Sequence, residues 1–191
     1  MTKQSWIRTY DDAVSPKFCA EAIAFFEKST VRHKLNQPWQ RYHQLTKLHE
    51  TALYEEIRSS IARVFNRYKQ DVGCGTLNYV DRLETPSMSR YDVADDDGAH
   101  HFHSHADAWS METASRQVSV IVYLNTVAEG GATVFDDEIV VQPQAGRVLV
   151  FPSSLCFQHR GEPPTSDSKY VLVAWLHFRG TGHAYTTLPL Q

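Results

Sequence analysis

No stretch of the 191-residue chain approaches the roughly 18 consecutive apolar residues that a membrane span requires. The opening run MTKQSWIRTYDD also lacks the apolar core of a secretory signal. Cysteine is scarce: Cys19, Cys74 and Cys156 are odd in number, far apart and without a CxxC, which predicts free thiols in a reducing cytoplasm. Neither sign of charge dominates, with 19 Lys and Arg against 22 Asp and Glu and a net charge of −3. The basic residues are scattered, so no extended nucleic-acid surface is expected, although a small pocket takes a single base without one. Internal repeats and low-complexity tracts are missing as well.

What is present is an ordinary globular composition, 42% hydrophobic and 21% charged, with one local excess. There are ten histidines, and His100, His101, His103 and His105 crowd a single short segment. The length predicts one domain over residues 1–191, with a folded surface of about 9,300 Å² against roughly 31,600 Å² unfolded. Burial on that scale holds a core together without a disulfide or structural metal. A metal in this chain is therefore expected to do chemistry.

The first third, residues 1–75, reads as helical support. Ser15-Pro16 opens a helix whose Phe18, Ala22, Phe25 and Phe26 recur at helical spacing to Lys28. A polar loop is expected next, then a second amphipathic helix from Glu50 to Tyr68, ended by Gly73-Cys74-Gly75. Residues 76–191 change character to short β-like runs between Gly, Pro and Asp. The predicted strands are Thr76–Arg82, Met88–Val93, His101–His105, Gln117–Leu124, Thr133–Phe135, Ile139–Gln142, Arg147–Phe151, Cys156–His159 and Tyr170–Phe178. Many short strands argue for a mainly β jelly roll, a double-stranded β-helix with the N-terminal helices packed on one outer face. Along the run to Leu124 one face is wholly apolar (Val118, Val120, Val122, Leu124) and suits the helices. The other (Gln117, Ser119, Ile121, Tyr123) suits a wet pocket.

His105-Ala106-Asp107 places an HxD at a strand end, and His159 follows far downstream. Two imidazoles and one carboxylate on one face of a metal leave three octahedral positions open, the arrangement of non-heme Fe(II) oxygenases. An HxD alone is a common tripeptide, so the ordered surroundings carry the weight. Tyr123-Leu124-Asn125 ends the long strand and Gly130-Gly131-Ala132-Thr133-Val134-Phe135 follows. Pro143, Gly146 and the run Val148–Phe151 come next, then His159-Arg160-Gly161-Glu162-Pro163 and, ten residues past His159, Lys169.

In this order of features the chain resembles the prolyl-4-hydroxylase-like Fe(II)/2-oxoglutarate-dependent dioxygenases, over about Ser87 to Phe178. The resemblance implies a double-stranded β-helix with His105, Asp107 and His159 as iron ligands and catalytic centre. It implies Lys169 as the partner of the 2-oxoglutarate C5 carboxylate, assisted by Tyr123, with Tyr91 as a further co-substrate tyrosine. Fe(II), 2-oxoglutarate and O₂ follow as cofactor and co-substrates, with ascorbate as a stimulant. Strand parity agrees for Lys169, which shares a face with Val171, Val173, Trp175 and His177. A lysine directed into a barrel is costly to bury without an anion.

His103, Trp109 and Arg116 flank this constellation and are candidate substrate contacts. The loops Val31–Lys47 and Trp109–Ser115 are expected to decide the substrate. Peptidyl proline, a free amino acid, a nucleobase and a small metabolite all remain open. Two other functions stand beside the oxygenase. One is a cupin-like metal enzyme or metal-binding barrel using His103 and His105, with Glu112 as carboxylate. The other is a non-catalytic interaction module, which would be expected to have lost a ligand.

Overall fold

The computed structural model describes residues 2–30, 33–37, 40–45, 51–94, 102–179 and 187–190. Its solvent-exposed surface is 9361 Å², matching the expectation from chain length. Helix α1 spans Pro16–Lys28, and the Ser15 hydroxyl accepts from the Phe18 amide at 3.1 Å to cap it. Helix α2 spans Leu53–Val72 and stops at Gly73, where φ is 67° and a side chain would be strained. The apolar stripe thus runs a turn beyond Tyr68, to the buried Val72.

The strands are β1 (Arg8–Tyr10), β2 (His33–Gln37), β3 (Gln40–Leu45), β4 (Val80–Glu84), β5 (Ser87–Tyr91), β6 (Phe102–His105) and β7 (Arg116–Tyr123). They continue with β8 (Thr133–Phe135), β9 (Ile139–Val141), β10 (Val148–Pro152), β11 (His159–Gly161), β12 (Lys169–Phe178) and β13 (Thr187–Pro189). Antiparallel pairing arranges them in two sheets. The larger runs β1-β10-β7-β12-β5-β3-β2, with β4 also on β12 and β13 on β4; the smaller runs β6-β11-β8-β9. Among the described residues the sheets face each other as a jelly roll and do not join into a closed barrel.

Two apolar layers hold this arrangement. On the outer face of the larger sheet, Phe18, Phe26, Ile57, Ile61 and Phe65 of the helices pack with Val118, Val120, Val122, Leu172, Ala174 and Leu176. Between the sheets, Tyr123, Leu149, Phe151 and Val171 meet Phe135 and Val141. The alternation read along β7 is thus realised, with its valines under the helices and Ile121 and Tyr123 facing inward. Both faces of β7 and β12 are covered, which explains their near-continuous apolar sequence.

The structure differs from the sequence reading in three places. Residues predicted as the strand Thr76–Arg82 begin with a 3-10 turn over Gly75–Tyr79, since the Leu77 amide donates to Cys74 O at 3.1 Å. The predicted strand Cys156–His159 is likewise a 3-10 turn over Leu155–Phe157, and the strand starts only at His159. The N-terminal third is not helical alone: β1 pairs with β10, and β2–β3 form a hairpin on β5 where a loop was expected. These edge strands are short or polar, so their pairing leaves little hydrophobic alternation to read. His100 and His101, the acidic run 95–97 and parts of the 31–47 segment lie outside the described residues.

Candidate active site

His105 ends β6 and His159 begins β11, and the two are directly opposite in the antiparallel register. Their rings stand 4.4 Å apart between centroids. Asp107, just past the end of β6, completes the group: its Oδ1 lies 3.6 Å from His105 Nε2 and its Oδ2 4.0 Å from His159 Nε2. All three candidate ligand atoms lie within 4.8 Å of one another. The ring tautomers are set by the backbone. His105 Nδ1 donates to His103 O at 2.7 Å and His159 Nδ1 to Phe157 O at 3.1 Å. A carbonyl only accepts, so each ring keeps its proton on Nδ1 and turns the Nε2 lone pair toward the shared space.

The charges suit a cation there. Burial pulls His159 down to about 4, against the pull of Asp107, so the ring is neutral at pH 7. Burial opposes the charge of Asp107, yet contact with His105, the nearby His159 and the Ser119 hydroxyl hold it well below the usual carboxylate range. Ser119 Oγ donates to Asp107 Oδ2 at 2.5 Å and sits 2.8 Å from Ser153 Oγ. Two imidazoles and one carboxylate, each fixed by a second partner, are a donor set that fits Fe(II).

Lys169 opens β12 and is 4% exposed. Burial lowers its ammonium to about 8, while Glu162 works the other way. Its Nζ donates to Gly131 O at 2.9 Å and lies 4.8 Å from the ring centroid of Tyr91, its register partner on β5. Among the described residues no carboxylate is in ion-pair contact with it, so a buried cation awaits an anion. The Gly130-Gly131 pair shapes this pocket. Both residues have positive φ, 74° and 70°, and a Cβ on Gly130 would lie 2.4 Å from Pro163 O.

A cavity of about 410 Å³ joins the triad to Lys169 and Tyr91. Tyr123 does not line it. It is fully buried, and its hydroxyl donates at 2.7 Å to Thr133 Oγ1, which does line it. Sequence reasoning missed Thr133, although a hydroxyl on a strand beside the Gly-Gly pair was visible. Ser119 was noted only as part of the inward face, and a serine at a fully buried position was a readable sign of a buried polar partner. Trp109 lies at the cavity at 70% exposure, and Arg116 lines it while ion-paired to Glu84 at 2.7 Å. His103 faces the cavity but is not in the cluster of ligand atoms. Glu112 is exposed and bonded to the Ser110 hydroxyl. The cupin-like pairing of His103, His105 and Glu112 is thus not formed.

Residues 86–177, about half of the chain, match the family model of the 2OG-Fe(II) oxygenase superfamily. Among solved structures, the viral collagen prolyl hydroxylase of Paramecium bursaria Chlorella virus-1, in its 2-oxoglutarate complex, aligns with a TM-score of 0.66 and 18% identity over 91% of this chain and 96% of its own. The prolyl hydroxylase of Trichoplax adhaerens, solved with a hypoxia inducible factor oxygen degradation domain peptide fragment, gives 0.68 and 16%, over 91% and 84%. A non-heme α-ketoglutarate-dependent epimerase from nogalamycin biosynthesis gives 0.71 and 12%, over 95% and 88%. No curated protein matches the sequence. Fold, triad and family match together define a 2-oxoglutarate-dependent oxygenase region over residues 86–177, the part that matches the 2OG-Fe(II) oxygenase superfamily. The prolyl hydroxylases among the solved structures share its fold, and the family match implies a dioxygenase that uses Fe(II), 2-oxoglutarate and O₂.

Proposed function

We propose that His105, Asp107 and His159 hold the iron, that Lys169 binds the distal carboxylate of 2-oxoglutarate, and that the enzyme hydroxylates a prolyl residue in a polypeptide. The observation that carries this reading is the buried Lys169 ammonium without a carboxylate partner, in the same cavity as the triad. Both are expensive features for a fold that a large core already stabilises, and together they suit one dianionic α-keto acid. Tyr91 backs the ammonium with its ring face, Gly131 O takes one of its protons, and Thr133, held by Tyr123, supplies a further hydroxyl. Tyr123 thus serves the co-substrate through Thr133.

When bound, iron with 2-oxoglutarate and O₂ supplies the oxidant: the keto acid is cleaved to succinate and CO₂, and the second oxygen atom enters a substrate C–H bond. The chain's own work is positional. The two Nδ1–H bonds to backbone carbonyls keep the imidazoles aimed, and Ser119 and Ser153 keep Asp107 aimed and ionised. The apolar walls from Ile121, Val171 and Val173 limit water around the reacting atoms. His103, Trp109 and Arg116 are placed to meet substrate, with the loop 109–115 at the opening. The prolyl peptides that relatives of the same fold act on make polypeptide the first substrate to try. Ascorbate is expected to sustain turnover. The three free cysteines suit a reducing compartment, and we assign the protein to the cytoplasm.

The test is succinate release by purified protein with Fe(II), 2-oxoglutarate and ascorbate, with and without proline-containing peptides, and mass spectrometry of the peptides. A gain of one oxygen on proline together with stimulated succinate release is expected. Succinate release that no prolyl peptide stimulates, but a free amino acid or nucleobase does, refutes the choice of substrate.

A further inference from the structure

A second cavity, of about 430 Å³, shares no lining residue with the catalytic one. Its volume falls within the roughly 300–1,000 Å³ typical of small-molecule sites. Phe65 of α2, Val80 of β4 and Leu190 just past β13 form its apolar floor, and all three belong to the layer that packs the helices on the larger sheet. The walls are tied in place. The Leu190 amide donates to Asp81 O at 2.9 Å, Arg58 Nη1 donates to Leu190 O at 3.2 Å, and the Arg179 amide donates to Tyr79 O at 2.9 Å.

Positive charge is in excess here. Lys69, Arg82 and Arg179 line the cavity against one carboxylate, Asp81. Arg179 is compensated, with Nε 3.2 Å from Asp81 Oδ2 and Nη2 donating to Asn78 O at 2.9 Å. Lys69 and Arg82 are half-buried, and among the described residues neither is paired with a carboxylate. The Lys69 Nζ rests instead 5.3 Å from the ring centroid of Phe65, one turn back on α2. Two cations left without a counter-charge at one concavity attract an anion.

Asp81 adds a second requirement. Its Oδ2 is engaged by Arg179, whereas Oδ1 is buried with no hydrogen-bond donor on it. A buried acceptor left unmade is unfavourable, and a molecule that brings a hydroxyl relieves the cost. A bare anion would answer the cations but not Oδ1, and a neutral sugar would answer Oδ1 but not the cations.

We infer that this cavity binds a small, soluble phosphate monoester that also carries hydroxyl groups, with Lys69 and Arg82 on the phosphate and Asp81 Oδ1 accepting from a hydroxyl. A phosphate monoester carries about −1.5 to −2 charges at pH 7, which matches the two uncompensated cations. The floor of Phe65, Val80 and Leu190 receives the carbon skeleton. The site stands apart from the oxygenase reading and does not depend on it.

The test is calorimetric titration of the full chain with ribose 5-phosphate, ribose and sulfate at constant ionic strength and pH 7, with and without Mn(II) and 2-oxoglutarate. Ribose 5-phosphate is expected to bind one per chain, more tightly than either ribose or sulfate, and to be undisturbed by 2-oxoglutarate. Lys69→Gln and Arg82→Gln should each weaken it about 10-fold, one charge-assisted hydrogen bond at a half-exposed position. Asp81→Ala should shrink the preference for the ester over sulfate about 5-fold. Circular dichroism checks the fold of each variant, and should one not fold, the others decide. Absence of binding, sulfate held as tightly as the ester, or an affinity unchanged in the folded Lys69→Gln and Arg82→Gln variants overturns the inference. Displacement by 2-oxoglutarate would place the ester at Lys169 and overturn it too. Retention on vesicles of phosphatidylcholine with phosphatidylinositol 4-phosphate, without binding of ribose 5-phosphate, would put the phosphate on a lipid and refute the soluble ligand.

Discussion

Removing the Lys169 ammonium is the perturbation with the sharpest expected signature. Lys169 is buried, holds Gly131 O at 2.9 Å and has no carboxylate of the described chain to pair with. In Lys169→Met the apolar stem is retained and the charge is lost. A carboxylate brought into this space would then be buried unpaired, at a cost of about 3–5 kcal/mol. That corresponds to a rise on the order of 10²–10³-fold in the 2-oxoglutarate concentration needed for half-maximal turnover. Iron content should be unchanged, because His105, Asp107 and His159, the proposed ligands, lie on other elements of the fold. The pH dependence has a definite sign. Burial lowers the ammonium to about 8, so it is mostly charged at pH 7 and loses its proton as pH passes 8. The half-saturating 2-oxoglutarate concentration of the unaltered enzyme should therefore climb above pH 8, and that of Lys169→Met should stay flat. The assay is succinate formation against 2-oxoglutarate concentration at several pH values, with iron measured on the same samples. An unaltered requirement in Lys169→Met would refute the role given to this residue.

Three further outcomes are expected. His103→Ala should keep stoichiometric Fe(II) after anaerobic reconstitution while His105→Ala loses it, and loss from His103→Ala with retention in His105→Ala would reverse the assignment. Chelation should abolish turnover yet leave the circular dichroism and cooperative thermal transition in place, since the two apolar layers do not depend on the site; unfolding on chelation would mean a structural metal. For the metal-free protein, His159 is held neutral to about 4 while an unfolded histidine protonates near its ordinary value. The unfolded state then binds more protons, so this residue makes stability fall as pH drops from about 6.5 to 4. Denaturant midpoints across that window check this, and a flat profile counts against a neutral buried ring.

Much of the architecture was readable where a single physical signal acted alone. The Ser15-Pro16 cap, the stripe of α2 and the stop at Gly73 are local, and each appears as expected. The two faces of β7 were separable because one of them carries only aliphatic residues, and the structure puts that face under the helices. His105, Asp107 and His159 were recognisable from their order in the chain, and the register of β6 with β11 brings them together. What stayed hidden depends on pairing or on side-chain reach. The β2–β3 hairpin owes its place to main-chain bonds with β5 rather than to apolar alternation. The turns over Gly75–Tyr79 and Leu155–Phe157 carry the same apolar residues as strands, and only their backbone bonds separate the two. The Arg116–Glu84–His177 group joins three distant strands, so no local pattern announces it. Tyr123 was placed on the correct face, but Thr133 stands between it and the cavity.

The decisive measurement compares the unaltered enzyme with Asp107→Ala, each reconstituted anaerobically with Fe(II), for iron content per chain and for succinate formed from 2-oxoglutarate under O₂. One Fe(II) per chain and sustained succinate formation are expected for the former, with turnover abolished in the latter. Normal succinate formation by Asp107→Ala would remove this carboxylate from the chemistry, and with it the reading of His105, Asp107 and His159 as the iron site.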